Sequence, residues 1–170
     1  MIIRKLERED LPTRVEWMNN PRVYQSMHFT VPILLENTYS WFEKNIGNFF
    51  RKDLVFCDLR GGAILAFGGI VSINDEIRKA ETYLFVDPNT QHKGIGSKAK
   101  SLMCDYAFNE LELNKLYVIT NEDNFASIRL QEKFGYQLEG RFRAEYITKD
   151  GKYKDRLYYG LLKEDWNKRH

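Results

Sequence analysis

The sequence predicts an α/β fold in which most strands run antiparallel, formed as a single domain over residues 1–170. Strand and helix signals alternate from end to end, with no repeat, low-complexity tract or Pro/Ser-rich linker between them. Three strand-like runs in succession lead to a glycine loop that opens a helix, and a hairpin pattern closes the chain.

Ile2 to Leu6 reads as an opening strand. Asp10 and Pro12 then signal a helix, which must stop at Asn19-Asn20-Pro21 because the residue before proline avoids the helical region. Leu35, Tyr39, Phe42 and Ile46 recur at helical spacing and predict a second helix with one buried stripe. Asp53 to Leu59 and Ala63 to Ile73 are strands joined across Gly61-Gly62, and Asn74-Asp75-Glu76 turns the chain into Arg78 to Val86. Asp87-Pro88-Asn89 breaks the sheet. Ile95, Ala99, Leu102, Met103 and Tyr106 predict a helix that begins within the glycine loop. Lys115 to Thr120 is a further strand and Asn124 to Phe134 a helix closed by Gly135. Tyr136 to Ile147 pairs with Lys152 to Leu162 across Lys149-Asp150-Gly151.

At 170 residues and 43% apolar composition the chain suits one core. The formal charge of +2 comes from 26 basic and 24 acidic residues spread along its length, without the basic stripe that nucleic-acid binding demands. No apolar leader opens the chain and no apolar run is long enough to span a bilayer, so neither nucleic acid nor membrane is expected as a partner. Cys57 and Cys104 are the only cysteines and lie in strand-like and helix-like runs, as small buried hydrophobes do. A reducing, cytoplasmic setting without a disulfide is the expectation.

A strand that runs into Gln91-x-x-Gly94-x-Gly96 and then into a helix places backbone N–H groups and the positive end of a helix dipole at one point. Such a point binds phosphate, and two glycines let the backbone approach an anion. An ordinary turn before a helix is the plain alternative. A Walker loop needs Gly-Lys-Ser/Thr after four spacer residues, whereas Gly96 is followed by Ser97-Lys98. A dinucleotide fingerprint fits in part, with Ala99 at the third glycine position, but this loop follows an antiparallel meander. A coenzyme A loop fits better than either.

Four segments, in this order and spacing, resemble the successive cofactor motifs of the GNAT superfamily of N-acetyltransferases. They are Ala80-Glu81-Thr82-Tyr83-Leu84-Phe85-Val86-Asp87-Pro88, Gln91-His92-Lys93-Gly94-Ile95-Gly96, Asn124-Phe125-Ala126-Ser127 and Glu132-Lys133-Phe134-Gly135-Tyr136. The resemblance covers nearly the whole chain. It is strongest to the branch of spermidine and ribosomal-protein N-terminal acetyltransferases, through Leu6 to Leu11, Asp105 to Phe108, Asn114 to Tyr117 and the tail from Glu139 to Asp155. Trp17-x-Asn19-x-Pro21-x-Val23-x-x-x-Met27 is also similar to acetyltransferases that act on aminosugar nucleotides.

The resemblance implies the GNAT acyl-CoA N-acyltransferase fold: a mixed sheet splayed in a V beside a bulge in its central strand, flanked by helices, with acetyl-CoA as cosubstrate and no metal. The backbone of Leu84, Phe85 and Val86 would pair with the pantetheine amides. The amides of Gln91, His92, Lys93, Gly94, Ile95, Gly96 and Ser97 would hold the pyrophosphate, and Asn124 would reach the pantetheine arm. Read from the residues alone, Asn124 is equally a helix N-cap.

Acetyl transfer needs an uncharged amine, yet an alkylamine with a pKa of about 10.4 is almost wholly protonated at neutral pH. Glu81 is the expected general base, acting through a water; a strand glutamate paired with Arg78 or Lys79 on an exposed face is the plain alternative. A backbone N–H near Phe85 or Val86 would stabilise charge on the acetyl oxygen. Many relatives place a tyrosine seven residues after the motif asparagine as acid for the leaving thiolate, and here that position is Gln131. Ser127 and Tyr136 are the substitutes by motif. Ser127 is equally a small residue that admits the cofactor, and Tyr136 equally core.

The expected activity is direct acetylation of a primary amine on a small molecule such as a polyamine of the spermidine type. An aminosugar nucleotide, a protein N-terminus and a noncatalytic acyl-CoA-binding regulator are the alternatives. His28-Phe29-Thr30-Val31 stands where the spermidine enzymes carry an acidic pair, which favours a less acidic cleft. A homo-oligomer is compatible with each of these.

Overall fold

The computed structural model describes every residue except 28, 29, 61, 91–93, 149 and 170. The elements are β1 (Ile2–Lys5), α1 (Leu11–Met18), α2 (Pro21–Tyr24), α3 (Leu35–Asn45), β2 (Lys52–Cys57), β3 (Ile64–Asn74), β4 (Lys79–Val86) and α4 (Ile95–Asp105). There follow β5 (Lys115–Asn121), α5 (Phe125–Lys133), β6 (Gln137–Ile147), β7 (Tyr153–Leu162) and α6 (Lys163–Asn167). The strands form one seven-stranded sheet in the order β1-β2-β3-β4-β5-β7-β6. The β4–β5 pair is parallel, with Lys79, Ala80 and Glu81 opposite Lys115, Leu116 and Tyr117, while β1–β2, β2–β3, β5–β7 and β6–β7 are antiparallel.

Contacts divide the chain into two compact units, Met1–Val71 with Tyr83–Met103, and Ser72–Thr82 with Cys104–His170. In the first, Leu11, Trp17, Val23, Val55, Cys57, Phe67 and Phe85 form a buried cluster, with the Trp17 and Phe67 rings edge to face at 5.1 Å. Leu35, Tyr39 and Phe42 of α3 pack on this cluster, as their spacing predicts, but Ile46 lies beyond the last turn and is 68% exposed. In the second unit Trp166 of α6 lies against Phe108 and Phe134, at 6.2 and 6.1 Å between ring centroids.

Local chemistry explains where elements begin. Asp10 does not cap α1 with its side chain; it accepts from the backbone N–H of Glu7 and takes a bidentate pair from Arg4 at 2.7 and 2.8 Å, closing a 3₁₀ turn ahead of the helix. Asn20 caps α2 through Arg22 N, with Pro21 in the first helical position. The predicted stop at Asn19-Asn20-Pro21 is therefore also a start. After Asp105 the helix α4 widens into a π turn over Tyr106–Glu110.

Candidate active site

In the first unit, Leu84, Phe85 and Val86 form the end of β4. Phe85 is buried, its ring 5.6 Å from Phe67 and stacked on Tyr83 at 6.5 Å. The strand ends where Asp87 accepts from Asn89 N through its side chain and from Thr90 N through its carbonyl. The predicted loop residues Gln91, His92 and Lys93 lie outside the described residues.

Beyond them Gly94 has φ +73°, a left-handed conformation that a Cβ disfavours, and its carbonyl accepts the first bond of α4 from Lys98 N at 3.1 Å. The N–H groups of Ile95 and Gly96, ahead of that bond, therefore have no partner within the helix. Gly96 is not required by packing, because a Cβ there would meet nothing nearer than Val86 Cγ1 at 3.8 Å. Thr90 Oγ1, just before the loop, is buried without a hydrogen-bond partner among the described residues. A helix start with open amides, room above a glycine and an orphaned hydroxyl suits an anionic, hydrogen-bonding ligand such as a pyrophosphate.

The same unit holds a charged network that sequence reasoning missed. The Tyr83 hydroxyl donates to Asp53 Oδ1 at 2.6 Å, and Asp53 also takes both arms of Arg51. Arg14 on α1 is only 7% exposed, donates to the Tyr83 hydroxyl at 3.1 Å and lies 4.7 Å from the Trp41 ring centroid. Arg51 lies 4.8 Å from the same ring. Arg51 thus holds the carboxylate directly while Arg14 reaches it only through the Tyr83 hydroxyl, and burial together with the Asp53 charge pushes the Tyr83 phenol well above its ordinary range. Arg14 had no motif to mark it; its burial and its bond to a tyrosine rather than to an acid, among the described residues, single it out.

The second unit holds Glu81, Asn124, Ser127 and Tyr136. Glu81 is half-buried opposite Tyr117, whose ring stacks on Tyr158 at 4.9 Å. Burial pushes its carboxyl up, and the Arg156 cation on β7 partly offsets this. Lys79 instead has Nζ 5.3 Å from the Tyr117 ring centroid. A carboxylate made more basic by desolvation is the kind of group that accepts a proton near neutral pH.

Asn124 caps α5, its side-chain oxygen accepting from Ser127 N at 3.1 Å. Ser127 Oγ accepts from Gln131 Nε2 at 3.4 Å, one turn on along the same face. Tyr136 is 4% exposed, with its hydroxyl 3.9 Å from Cys104 Sγ. Burial, with the Cys104 thiol adding to it, holds this phenol well above its ordinary range. Among the described residues no group of His, Cys, Asp and Glu is arranged to hold a metal, and no helix is long and apolar enough to cross a membrane.

Residues 1–137 match the family model described as an acetyltransferase (GNAT) domain. The chain belongs to the GNAT acetyltransferase family. It is similar to the spermidine N(1)-acetyltransferase of Escherichia coli strain K12, with 28% identity over 169 residues, covering 99% of this chain and 89% of that protein. The Vibrio cholerae spermidine N(1)-acetyltransferase is 27% identical over 161 residues, covering 93% and 91%. The crystal structure of the Vibrio cholerae enzyme in complex with CoA and spermine has the same fold, with a TM-score of 0.92 at 23% identity over 98% of this chain and 97% of that one. This GNAT chain is accordingly an N-acetyltransferase that uses acetyl-CoA.

Proposed function

We propose that residues 1–170 work as one cytoplasmic N-acetyltransferase domain that acetylates a primary amine of a polyamine of the spermidine type. The observation that carries the reaction is Glu81, a half-buried carboxylate pushed up by burial on the strand that leads to Gly94 and Gly96. The acceptor class rests on the likeness to spermidine acetyltransferases along 99% of the chain. When bound, acetyl-CoA supplies the acetyl group on a thioester with a thiol leaving group. The open first-turn amides of α4 bind its pyrophosphate and the edge of Leu84, Phe85 and Val86 takes its pantetheine amides. Glu81 removes the proton from the amine nitrogen as the new C–N bond forms, through a water. The sulfur departs as a thiolate, whose pKa near 8.5 makes an acid helpful rather than indispensable. Neither candidate is a stronger acid than the departing thiol: Ser127 is an alcohol whose oxygen accepts from Gln131, and Tyr136 is a buried phenol held at high pKa, so each can offer at most a hydrogen bond.

A second reading follows from Arg14. A buried guanidinium whose hydrogen bond goes to the neutral Tyr83 hydroxyl, while the nearby Asp53 carboxylate is held by Arg51, suits an acceptor carrying an anion, such as an aminosugar nucleotide, rather than a polycation. Homo-oligomerisation belongs with the first reading, since a Vibrio cholerae spermidine acetyltransferase is described as dodecameric.

Purified protein with acetyl-CoA, assayed for free thiol against spermidine, an aminosugar nucleotide and short peptides, separates these. Spermidine turnover is expected; turnover confined to the sugar nucleotide selects the second reading, and CoA binding with no turnover on any amine points to a regulator. Replacing Glu81 by Gln should lower kcat about 10²-fold or more at neutral pH. That loss should shrink toward pH 10, where an amine of pKa about 10.4 supplies its own neutral form. A loss uniform across pH counts against Glu81 as base.

A further inference from the structure

Gln131 is 4% exposed, and its side-chain oxygen has no hydrogen-bond partner among the described residues. A buried orphan acceptor of this kind destabilises the free protein. Its other end is engaged, since Nε2 donates to Ser127 Oγ at 3.4 Å. That donation occupies the serine oxygen and leaves the serine proton to point elsewhere. Positions 127 and 131 share one face of α5, so the pair presents one acceptor, Gln131 Oε1, and one donor, the Ser127 hydroxyl.

We propose that Gln131 and Ser127 together recognise an amide of the pantetheine arm of the acyl donor, Gln131 Oε1 accepting its N–H and the Ser127 hydroxyl donating to its C=O. One acceptor beside one donor is the complement of a neutral amide. A protonated amine is a poorer match, because a buried neutral pair offers no counter-charge to offset its desolvation. The proposal rests on the acetyl-CoA-dependent reading above and adds to it two contacts from α5. It also gives Ser127 a binding role through its hydroxyl, with no proton transfer required of it.

The test uses the intact protein and two probes: coenzyme A, and adenosine 3′,5′-bisphosphate, which carries the nucleotide phosphates without the pantetheine arm. Calorimetric titration of Gln131→Leu should show Kd for coenzyme A raised about tenfold, the effect of one lost hydrogen bond, with Kd for the bisphosphate unchanged. The ligand-free variant should melt at the wild-type temperature or above it, because the orphaned acceptor is gone. Ser127→Ala should raise Kd for coenzyme A in the same selective way, and the double variant should lose less than the product of the two single losses, because both side chains bind one amide. Equal coenzyme A affinity in wild type and Gln131→Leu overturns the proposal. So does a lower melting temperature with equal loss for both probes, which is the mark of a structural glutamine. A wild-type protein that binds neither probe refutes instead the acetyl-CoA reading on which the proposal stands.

Discussion

Burial raises the Glu81 carboxyl above its ordinary range while the Arg156 cation pulls it back, so ionised Glu81 is disfavoured by the fold and, as the proposed base, useful to the reaction. A carboxyl whose folded pKa is raised stabilises the folded state most when protonated. That contribution is complete at pH below its unfolded value and is lost as pH rises through the raised folded value. Glu81→Gln cannot ionise and escapes this loss. Its melting temperature should match wild type in acid and exceed it at pH 8, which a thermal melt series across pH will check; a variant less stable at pH 8 contradicts the assignment. Arg156→Gln removes the group that holds Glu81 down, so the acid limb of kcat/KM should move to higher pH, and an unmoved limb means that Arg156 does not govern the base. At this scale the place of Glu81 on its strand could be read from the sequence. Its neighbour Arg156 could not, because β7 reaches Glu81 only through the β5–β7 pairing. Gln131 was visible only as a missing tyrosine, since its orphaned oxygen depends on what its neighbours fail to supply.

Among the elements, β4 and α4 were plain in the sequence, one from its apolar run and the other from a stripe that starts at a glycine. The short helices α2 and α6, of 4 and 5 residues, were not, because neither is long enough to show a 3.6-residue period. Asn20 and Pro21 carried the right chemistry for α2 but were read only as an ending. The two loop glycines, alike in the sequence, differ in the structure, and a pair of variants separates their duties. Gly94→Ala places a Cβ at φ +73° and should cost about 1–2 kcal/mol in urea unfolding as well as weakening coenzyme A binding. Gly96→Ala meets nothing closer than 3.8 Å and sits in the first turn of α4, where alanine is worth about 0.5–1 kcal/mol over glycine. It should be as stable as wild type or more so, yet bind coenzyme A less well. If Gly96→Ala keeps full affinity, the space above Gly96 is not a ligand cradle.

For the whole molecule, the alternation of strands and helices foretold the class of fold, while the two contact units had no signal in composition or linkers. Their boundaries explain why. The chain passes between units at Val71/Ser72, Thr82/Tyr83 and Met103/Cys104, and these points fall inside β3, β4 and α4 rather than in loops. Independent domains part at exposed, flexible linkers that few contacts cross. Here β3, β4 and α4 each run unbroken from one unit into the other, with no such linker at any crossing point. The chain should therefore melt in one cooperative transition, with calorimetric and van't Hoff enthalpies equal. Coenzyme A at a hundredfold excess over Kd should add about 2.7 kcal/mol and shift that single transition upward by roughly 5–10 °C without splitting it. Two resolved transitions, with only one of them moved by coenzyme A, would show that the units fold separately and that the single-domain reading is wrong.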